Sequence, residues 1–324
     1  MRFDVFFYEA FAEEEGALRA CLPARVRAGF TRHTIQEYGR PDPEAALISV
    51  RTQSVIPPGW AGRLQAILTR STGYDHLLAY RRLAGRNLPC GYLPCYCHRA
   101  VAEQALLMWL ALLRKLPRQT RQFQTFQRDG LTGGEVQGRA LLVVGVGNIG
   151  YETVKIGRGV GMEVSGVDIC RKHADVRYGA MDELIGGADV IVCAMNLTAD
   201  NRGYFDVRRL RAAKPGAIFV NISRGELSPP AGLLELLEAG RLGGVGLDVY
   251  NEESALAGAL RQGLPADNPE VRAVLQMAGY DNVILTPHNA FNTSEAVARK
   301  SGQSAQQALA WLGQGSFLWP VPAE

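Results

Sequence analysis

From residue 138 onward, short runs of β-branched and aliphatic residues alternate with longer stretches whose apolar positions recur at helical spacing. The first kind of run suits a strand buried on both faces and the second an amphipathic helix, so the alternation predicts a parallel sheet with helical crossovers. Strands are expected at 141–144, 164–167, 190–194, 218–222, 245–249 and 283–285, which together make a doubly wound domain. A shorter alternation precedes it. Strands are expected there at 4–8, 47–50 and 66–69, separated by turns such as Ile56-Pro57-Pro58-Gly59, and they predict a smaller α/β lobe. Residues 99–115 predict one helix, apolar nearly all round between Leu106 and Leu113, which must be covered on several sides and suits a domain or subunit junction. The polar, Gln-rich stretch 118–128 continues or follows it as solvated surface. Residues 292–312 predict a last helix, capped by Thr293 or Ser294 with Glu295 in its first turn, that returns to the N-terminal lobe. The fold class is therefore α/β: a doubly wound parallel sheet over 99–289 and a second, smaller α/β lobe formed by 1–98 plus 290–324.

Composition narrows the function. A chain of 324 residues, 47% hydrophobic and 21% charged, is long enough for two packed domains. Its formal charge of +3 is scattered without any block of like charges, so neither nucleic acid nor another polyanion is an expected partner. The opening run Met1-Arg2-Phe3-Asp4-Val5-Phe6-Phe7-Tyr8-Glu9 carries acids where a secretory signal needs an unbroken apolar core. The most apolar stretch, 105–113, is about half the roughly 20 residues of a membrane span. A cytoplasmic protein without membrane contact is expected. Six cysteines (Cys21, Cys90, Cys95, Cys97, Cys170, Cys193) do not make a disulfide scaffold in a chain this long and suit a reducing compartment. Cys90, Cys95, Cys97 and His98 lack the paired C-x2-C hairpins of common zinc sites, so no metal is expected.

The run 141–144 leads directly into Gly145-Val146-Gly147-Asn148-Ile149-Gly150 and then a helical pattern, placing GxGxxG at a strand-to-helix turn. There Gly145 permits the tight turn, Gly147 lets a pyrophosphate approach the backbone and Gly150 lets helix pack on strand. The next strand ends in Asp168, eighteen positions after Gly150, close to the spacing of an acid that binds the adenosine ribose. A carboxylate accepts bonds from ribose hydroxyls and repels a 2′-phosphate, so NAD is favoured over NADP, although Arg171 and Lys172 lie nearby.

Three further segments follow strands at the carboxyl edge of the same sheet: Asn221-Ile222-Ser223-Arg224-Gly225, Gly246-Leu247-Asp248-Val249-Tyr250-Asn251-Glu252-Glu253, and Leu285-Thr286-Pro287-His288. They supply an Arg, carboxylates and a His. Reduction of a 2-keto acid needs a cation for the substrate carboxylate and a proton donor for the oxygen that becomes a hydroxyl. With GVGNIG, VDI, NISRGEL, GLDVYNEE and LTPHNAF in this order, and Thr72-Gly73-Tyr74-Asp75 and Ala100-Val101-Ala102-Glu103 upstream, the chain resembles the D-2-hydroxyacid dehydrogenase family over nearly its whole length.

The resemblance implies an NAD-dependent enzyme, a homodimer, that moves a hydride between the cofactor and a small 2-keto or 2-hydroxy acid. Arg224 matches the residue that grips the substrate carboxylate and carbonyl, His288 the acid/base, and Glu253 its partner, which would hold the imidazole in its charged form because a nearby anion favours the imidazolium. Asp248 matches a group near the nicotinamide, and Asn148, Ile149, Asn196 and Ser223 complete the implied cofactor contacts. Glu253 is followed by Ser254, where the family has Pro, and preceded by Glu252, which leaves the partner ambiguous by one position. The long stretch from Glu253 to His288 and the sequence Asn292-Thr293-Ser294-Glu295-Ala296-Val297 resemble the D-lactate dehydrogenase branch. In that branch Tyr96 matches a Tyr that approaches substrate, and the backbone of Thr72 and Gly73 the turn that receives its carboxylate; Cys97-His98-Arg99 departs from the small polar residues usual there. Relatives on the same scaffold include NAD-sensing corepressors and formate and phosphite dehydrogenases. The little chain beyond Leu312 disfavours the first, and Glu253 the formate type, which resembles a His–Gln pair.

Overall fold

The computed structural model describes residues 2–323. They form two compact units, one running to Cys97 and resuming at Asn292, the other His98–Phe291. The first carries a five-stranded sheet of β1 (Val5–Phe7), β2 (Ala28–Phe30), β3 (Leu47–Val50), β4 (Ala66–Thr69) and β5 (Cys90–Gly91), in the order β2-β1-β3-β4-β5. Every pairing in it is parallel. The order reverses at β1, so the crevice that such sheets offer a ligand opens beyond the carboxyl ends of β1 and β3. The C-terminal helix Ser294–Gln314 packs against the helix Ala12–Cys21 of the same unit. Thr293 caps it by accepting a hydrogen bond from the backbone N–H of Ala296, and Gly315, at φ 69°, ends it.

The larger unit contains β6 (Ala140–Val144), β7 (Glu163–Val167), β8 (Arg177–Tyr178), β9 (Val190–Cys193), β10 (Ala217–Asn221), β11 (Leu242–Leu247) and β12 (Val283–Leu285), ordered β12-β11-β10-β9-β6-β7-β8 and parallel throughout. This is the expected doubly wound sheet, with its switch point between β6 and β9. The strands are apolar on both faces because helices cover both; Val190, Ile191, Val192, Phe219 and Val220 are fully buried.

Several boundaries differ from those the sequence predicts. β11 starts at Leu242 and stops at Leu247, so Asp248 lies just beyond the strand rather than inside it. The long helix is His98–Leu113 and not 99–115, because Lys115 takes a left-handed φ of 53° before a separate short helix, Leu116–Gln122, begins. Its apolar girdle is also only partly covered: Ala105, Met108 and Trp109 are buried, whereas Leu107 is 56% exposed and Leu110 38%. The strands β2, β5 and β8 have two or three residues each, too few to produce a periodic signal.

Candidate active site

The glycine turn after β6 is dictated by close approach. Gly145 sits at φ 90°, and a side chain there would strike the backbone of Met195; a Cβ on Gly150 would overlap the Gly145 carbonyl oxygen. A Cβ on Gly147, by contrast, would meet nothing within 4 Å. Gly147 precedes the helix Asn148–Gly159, so its open side lies at a helix N-terminus, where a pyrophosphate is favoured. Asp168 is half-buried at the end of β7, where its carboxylate accepts hydrogen bonds from the backbone N–H of Val146 (2.6 Å) and of Cys170 (2.8 Å). Each oxygen keeps a further lone pair, so the same carboxylate braces the turn and can still accept from a ribose hydroxyl. Ile169, which sequence reasoning passed over, is the most exposed apolar side chain beside it. Such a surface suits the face of an adenine, so these residues fit NAD.

Past β10, fully buried Asn221 organises the loop that carries Arg224. Its side-chain amide donates to the Arg224 carbonyl at 2.8 Å and to the Ser228 hydroxyl at 2.7 Å, while its carbonyl accepts from the Ser223 N–H at 3.0 Å. The Ser223 hydroxyl donates to the Met195 carbonyl, joining this loop to the end of β9, and Asn196 next to it is exposed. A Cβ on Gly225 would overlap the backbone of Tyr250 and Asn251, which packs the Arg224 loop tightly on the one after β11. Arg224 is half-buried and donates to the Ser223 carbonyl at 3.0 Å.

The ends of β11 and β12 bring His288 and Glu253 together. Nδ1 of His288 lies 3.0 and 2.8 Å from the two carboxylate oxygens of Glu253, the first residue of the helix Glu253–Gln262. Glu252 instead precedes that helix at φ 59°. Both side chains of the pair are nearly buried, at 18% and 19% exposure.

His288 itself adopts φ 52°, a left-handed conformation costing about 1–3 kcal/mol for a non-glycine residue. The group that holds it there is Asp248. Only 1% exposed, its carboxylate accepts from the Thr286 hydroxyl at 2.5 Å, the Asn289 N–H at 2.8 Å and the Ala290 N–H at 2.9 Å. Burial pushes this carboxyl above the usual range, against the pull of His288 and of the three donors. Tyr250 adds a second tie, donating to the carbonyls of Leu247 (3.2 Å) and Thr286 (2.8 Å). Asn221, Tyr250 and Thr286 stood in the recognised motifs without an assigned role.

In the other unit, Thr72 and Gly73 form a turn directly past β4. The Thr69 and Ser71 hydroxyls are 2.7 Å apart, and Ser71 donates to the Gly73 carbonyl at 2.6 Å. The Thr72 hydroxyl lies 3.8 Å from the Cys97 sulfur. Tyr96 is only 5% exposed, burial drives its phenol well above the ordinary value, and its carbonyl accepts from the Arg299 guanidinium at 2.8 Å. Of the cysteines and histidine weighed as metal ligands, Cys90 and Cys97 are buried and Cys95 is exposed; no cluster of three metal-binding side chains exists among the described residues.

A doubly wound sheet, an open glycine turn backed by an acid, and a His–Glu pair with an Arg on the same carboxyl edge define a dinucleotide-dependent oxidoreductase. The profile of the D-isomer specific 2-hydroxyacid dehydrogenase NAD binding domain matches residues 106–290. A D-lactate dehydrogenase of Streptococcus agalactiae is 34% identical over 241 residues, 72% of each chain. A D-specific alpha-keto acid dehydrogenase of Enterococcus faecalis is 31% identical over 247 residues, 75% of this chain and 74% of that one. The crystal structure of a D-lactate dehydrogenase from Aquifex aeolicus, complexed with NAD and lactic acid, superposes with a TM-score of 0.83 at 26% identity, covering 98% of this chain and all of the other. The chain belongs to the D-isomer specific 2-hydroxyacid dehydrogenase family. It is an NAD-dependent oxidoreductase of small 2-hydroxy and 2-keto acids.

Proposed function

We propose that this chain reduces pyruvate or a close 2-keto acid to the D-2-hydroxy acid, with His288 as acid/base, Glu253 as its partner and Arg224 as the cation for the substrate carboxylate and carbonyl. The observation that carries the reading is the pairing of both Glu253 oxygens with His288 Nδ1. NAD, when bound, supplies or accepts the hydride. Arg224 polarises the substrate carbonyl and holds the carboxylate, and charged His288 releases a proton from Nε2 to the oxygen that becomes the hydroxyl. Glu253 stabilises the imidazolium before transfer, and in the reverse direction it stabilises the charge that His288 gains. The backbone of Thr72 and Gly73 and the ring of Tyr96 complete the substrate contacts. Gly145, Gly147, Asn148, Ile149, Gly150, Asp168, Asn196 and Ser223 form the cofactor contacts. In this scheme the residues up to 98 and from 290 onward form the substrate lobe and 99–289 the NAD domain. A panel of pyruvate, glyoxylate, hydroxypyruvate, branched 2-keto acids and phosphite, followed by NADH absorbance, tests the assignment; turnover of phosphite alone would overturn it.

The same reading places the protein in the cytoplasm as a homodimer. No disulfide joins the six cysteines, and no helix among the described residues is long and apolar enough to cross a membrane. Leu107, Leu110, Leu116, Phe123 and Phe126 are exposed on the larger unit, an apolar surface that a second copy would cover. A sedimentation mass of one chain would reject the dimer.

A further inference from the structure

Beneath the turn assigned to the substrate carboxylate lies a charge cluster that the proposed mechanism does not use. Glu14, Arg70 and Lys300 are all completely buried. One oxygen of Glu14 accepts from Arg70 Nε at 2.9 Å and meets Lys300 Nζ at 2.7 Å. Arg70 spends its other nitrogens on the Ser49 hydroxyl (3.0 Å) and the Tyr8 carbonyl (2.6 Å). It therefore laces together the carboxyl ends of β1, β3 and β4 immediately before the 71–73 turn. On the other side, Arg299, adjacent to Lys300, holds the Tyr96 carbonyl. One carboxylate shared by two buried cations is costly compared with apolar packing of the same volume.

We propose that Lys300, acting through Glu14 and Arg70, is a positioning residue that sets the Thr72–Gly73 turn and the Tyr96 backbone to receive the substrate carboxylate. The inference rests on the substrate-lobe reading of the proposed function. Lys300 is faced by Glu14 from the helix Ala12–Cys21, by Arg70 past β4, by Arg51 past β3, and by Cys97, with the Phe11 ring 5.7 Å away. Burial pushes the Lys300 ammonium down to about 7, helped by Arg51 and Arg70 and opposed by Glu14. For Glu14, burial acts upward, but Arg70, Lys300 and Arg51 outweigh it and hold the carboxyl at about 2. Across neutral pH the variable member is thus Lys300. Its loss of a proton removes a cation from beneath the turn, so affinity for an anionic substrate falls as pH rises. An anion that binds only the charged form would bind roughly tenfold more weakly at pH 8 than at pH 6.

The test is calorimetric titration of NADH-saturated protein with oxamate, an unreactive pyruvate analogue, in a His288→Gln background that removes the imidazole from the site. The expected result is a severalfold rise in oxamate Kd from pH 6 to 8, abolished by adding Lys300→Met, with NADH Kd unchanged in both. A flat profile in His288→Gln alone overturns the inference even if the double variant does not fold. So does a Lys300→Met protein that only melts earlier while oxamate Kd and its pH dependence persist. Arg224→Lys separates the two levels. If it weakens oxamate and Lys300→Met does not, this inference alone fails; if it leaves oxamate unaffected, the proposed function fails and takes the inference with it.

Discussion

Replacing Asp248 with Asn removes one charge and almost no volume, so its effect is set by the hydrogen bonds around the carboxylate. That group accepts two of them on one oxygen, from Thr286 and Asn289, and one on the other, from Ala290. An amide offers only one acceptor. With its oxygen toward Asn289, its NH2 confronts the Ala290 N–H; reversed, it confronts the Asn289 N–H. Either way a backbone donor at a site 1% exposed loses its partner, at a cost of about 1–3 kcal/mol. The strain of His288 at φ 52° then has less to oppose it, and the loop relaxes away from Glu253. Taking roughly 2 kcal/mol as the shift, kcat should fall about 30-fold and the melting midpoint by about 4–8 °C. NADH affinity, measured by fluorescence titration, should stay within about twofold, because both oxygens are engaged with the His288 loop. Family resemblance instead places Asp248 near the nicotinamide. A variant with unchanged kcat and tenfold weaker NADH binding would refute the loop-holding role and favour direct cofactor contact.

Three other substitutions probe the remaining groups. Glu253→Gln keeps an acceptor for Nδ1–H but loses the anion that stabilises a charged imidazole, so kcat should fall by about 10–100-fold with NADH Kd unchanged; steady-state kinetics and cofactor titration check this, and a loss in Glu252→Gln instead would move the partner by one residue. Arg224→Lys should lower kcat/KM for the keto acid by about 10–100-fold, since an ammonium cannot reproduce bidentate guanidinium contact, while NADH Kd by titration stays unchanged. Asp168→Ser should lower the NADH to NADPH ratio of kcat/KM at least tenfold by relieving repulsion of a 2′-phosphate. Because Asp168 also braces Val146 and Cys170, both absolute values should fall, and only the ratio reports specificity.

Legibility in the sequence followed the length scale of each signal. Strands buried on both faces, such as 141–144 and 190–194, coincide with β6 and β9 to within a residue because continuous apolar runs have no other use between helical patterns. The glycine turn was visible because Gly145 and Gly150 each meet a backbone constraint, while Gly147 leaves the space beside it open. β8, with two residues, left no trace. Nor did the break at Lys115, since a left-handed backbone at a lysine has no compositional signature. The groups proposed to react stand in motifs whose order made them legible, but their supports were not. Asn221, Thr286 and Tyr250 are common polar residues whose importance appears only when their hydrogen bonds are traced. The Glu14–Arg70–Lys300 cluster was invisible for a different reason: Glu14 and Lys300 lie 56 and 230 positions from Arg70, and the three show no pattern of their own.

The carboxyl edge of the larger sheet separates the groups proposed to react from the groups that hold their loops. Arg224, Glu253 and His288 are partly accessible, whereas Asn221 and Asp248 are essentially sealed. Each sealed residue stands at or just beyond a strand end and spends its polar atoms on the backbone of the next loop, Asn221 on 223–224 and Asp248 on 289–290. A loop held by side-chain acceptors from the neighbouring strand need not follow the low-energy path of an isolated turn, which is why His288 can occupy a left-handed backbone that no glycine relieves. That backbone brings Nδ1 to the Glu253 carboxylate, the first residue of a helix whose own N-terminus is set by another left-handed residue, Glu252. The His288–Glu253 contact therefore depends on two unfavourable backbone conformations, at positions 252 and 288. Its geometry is a property of the packed sheet edge, and a peptide carrying the same motifs would not reproduce it.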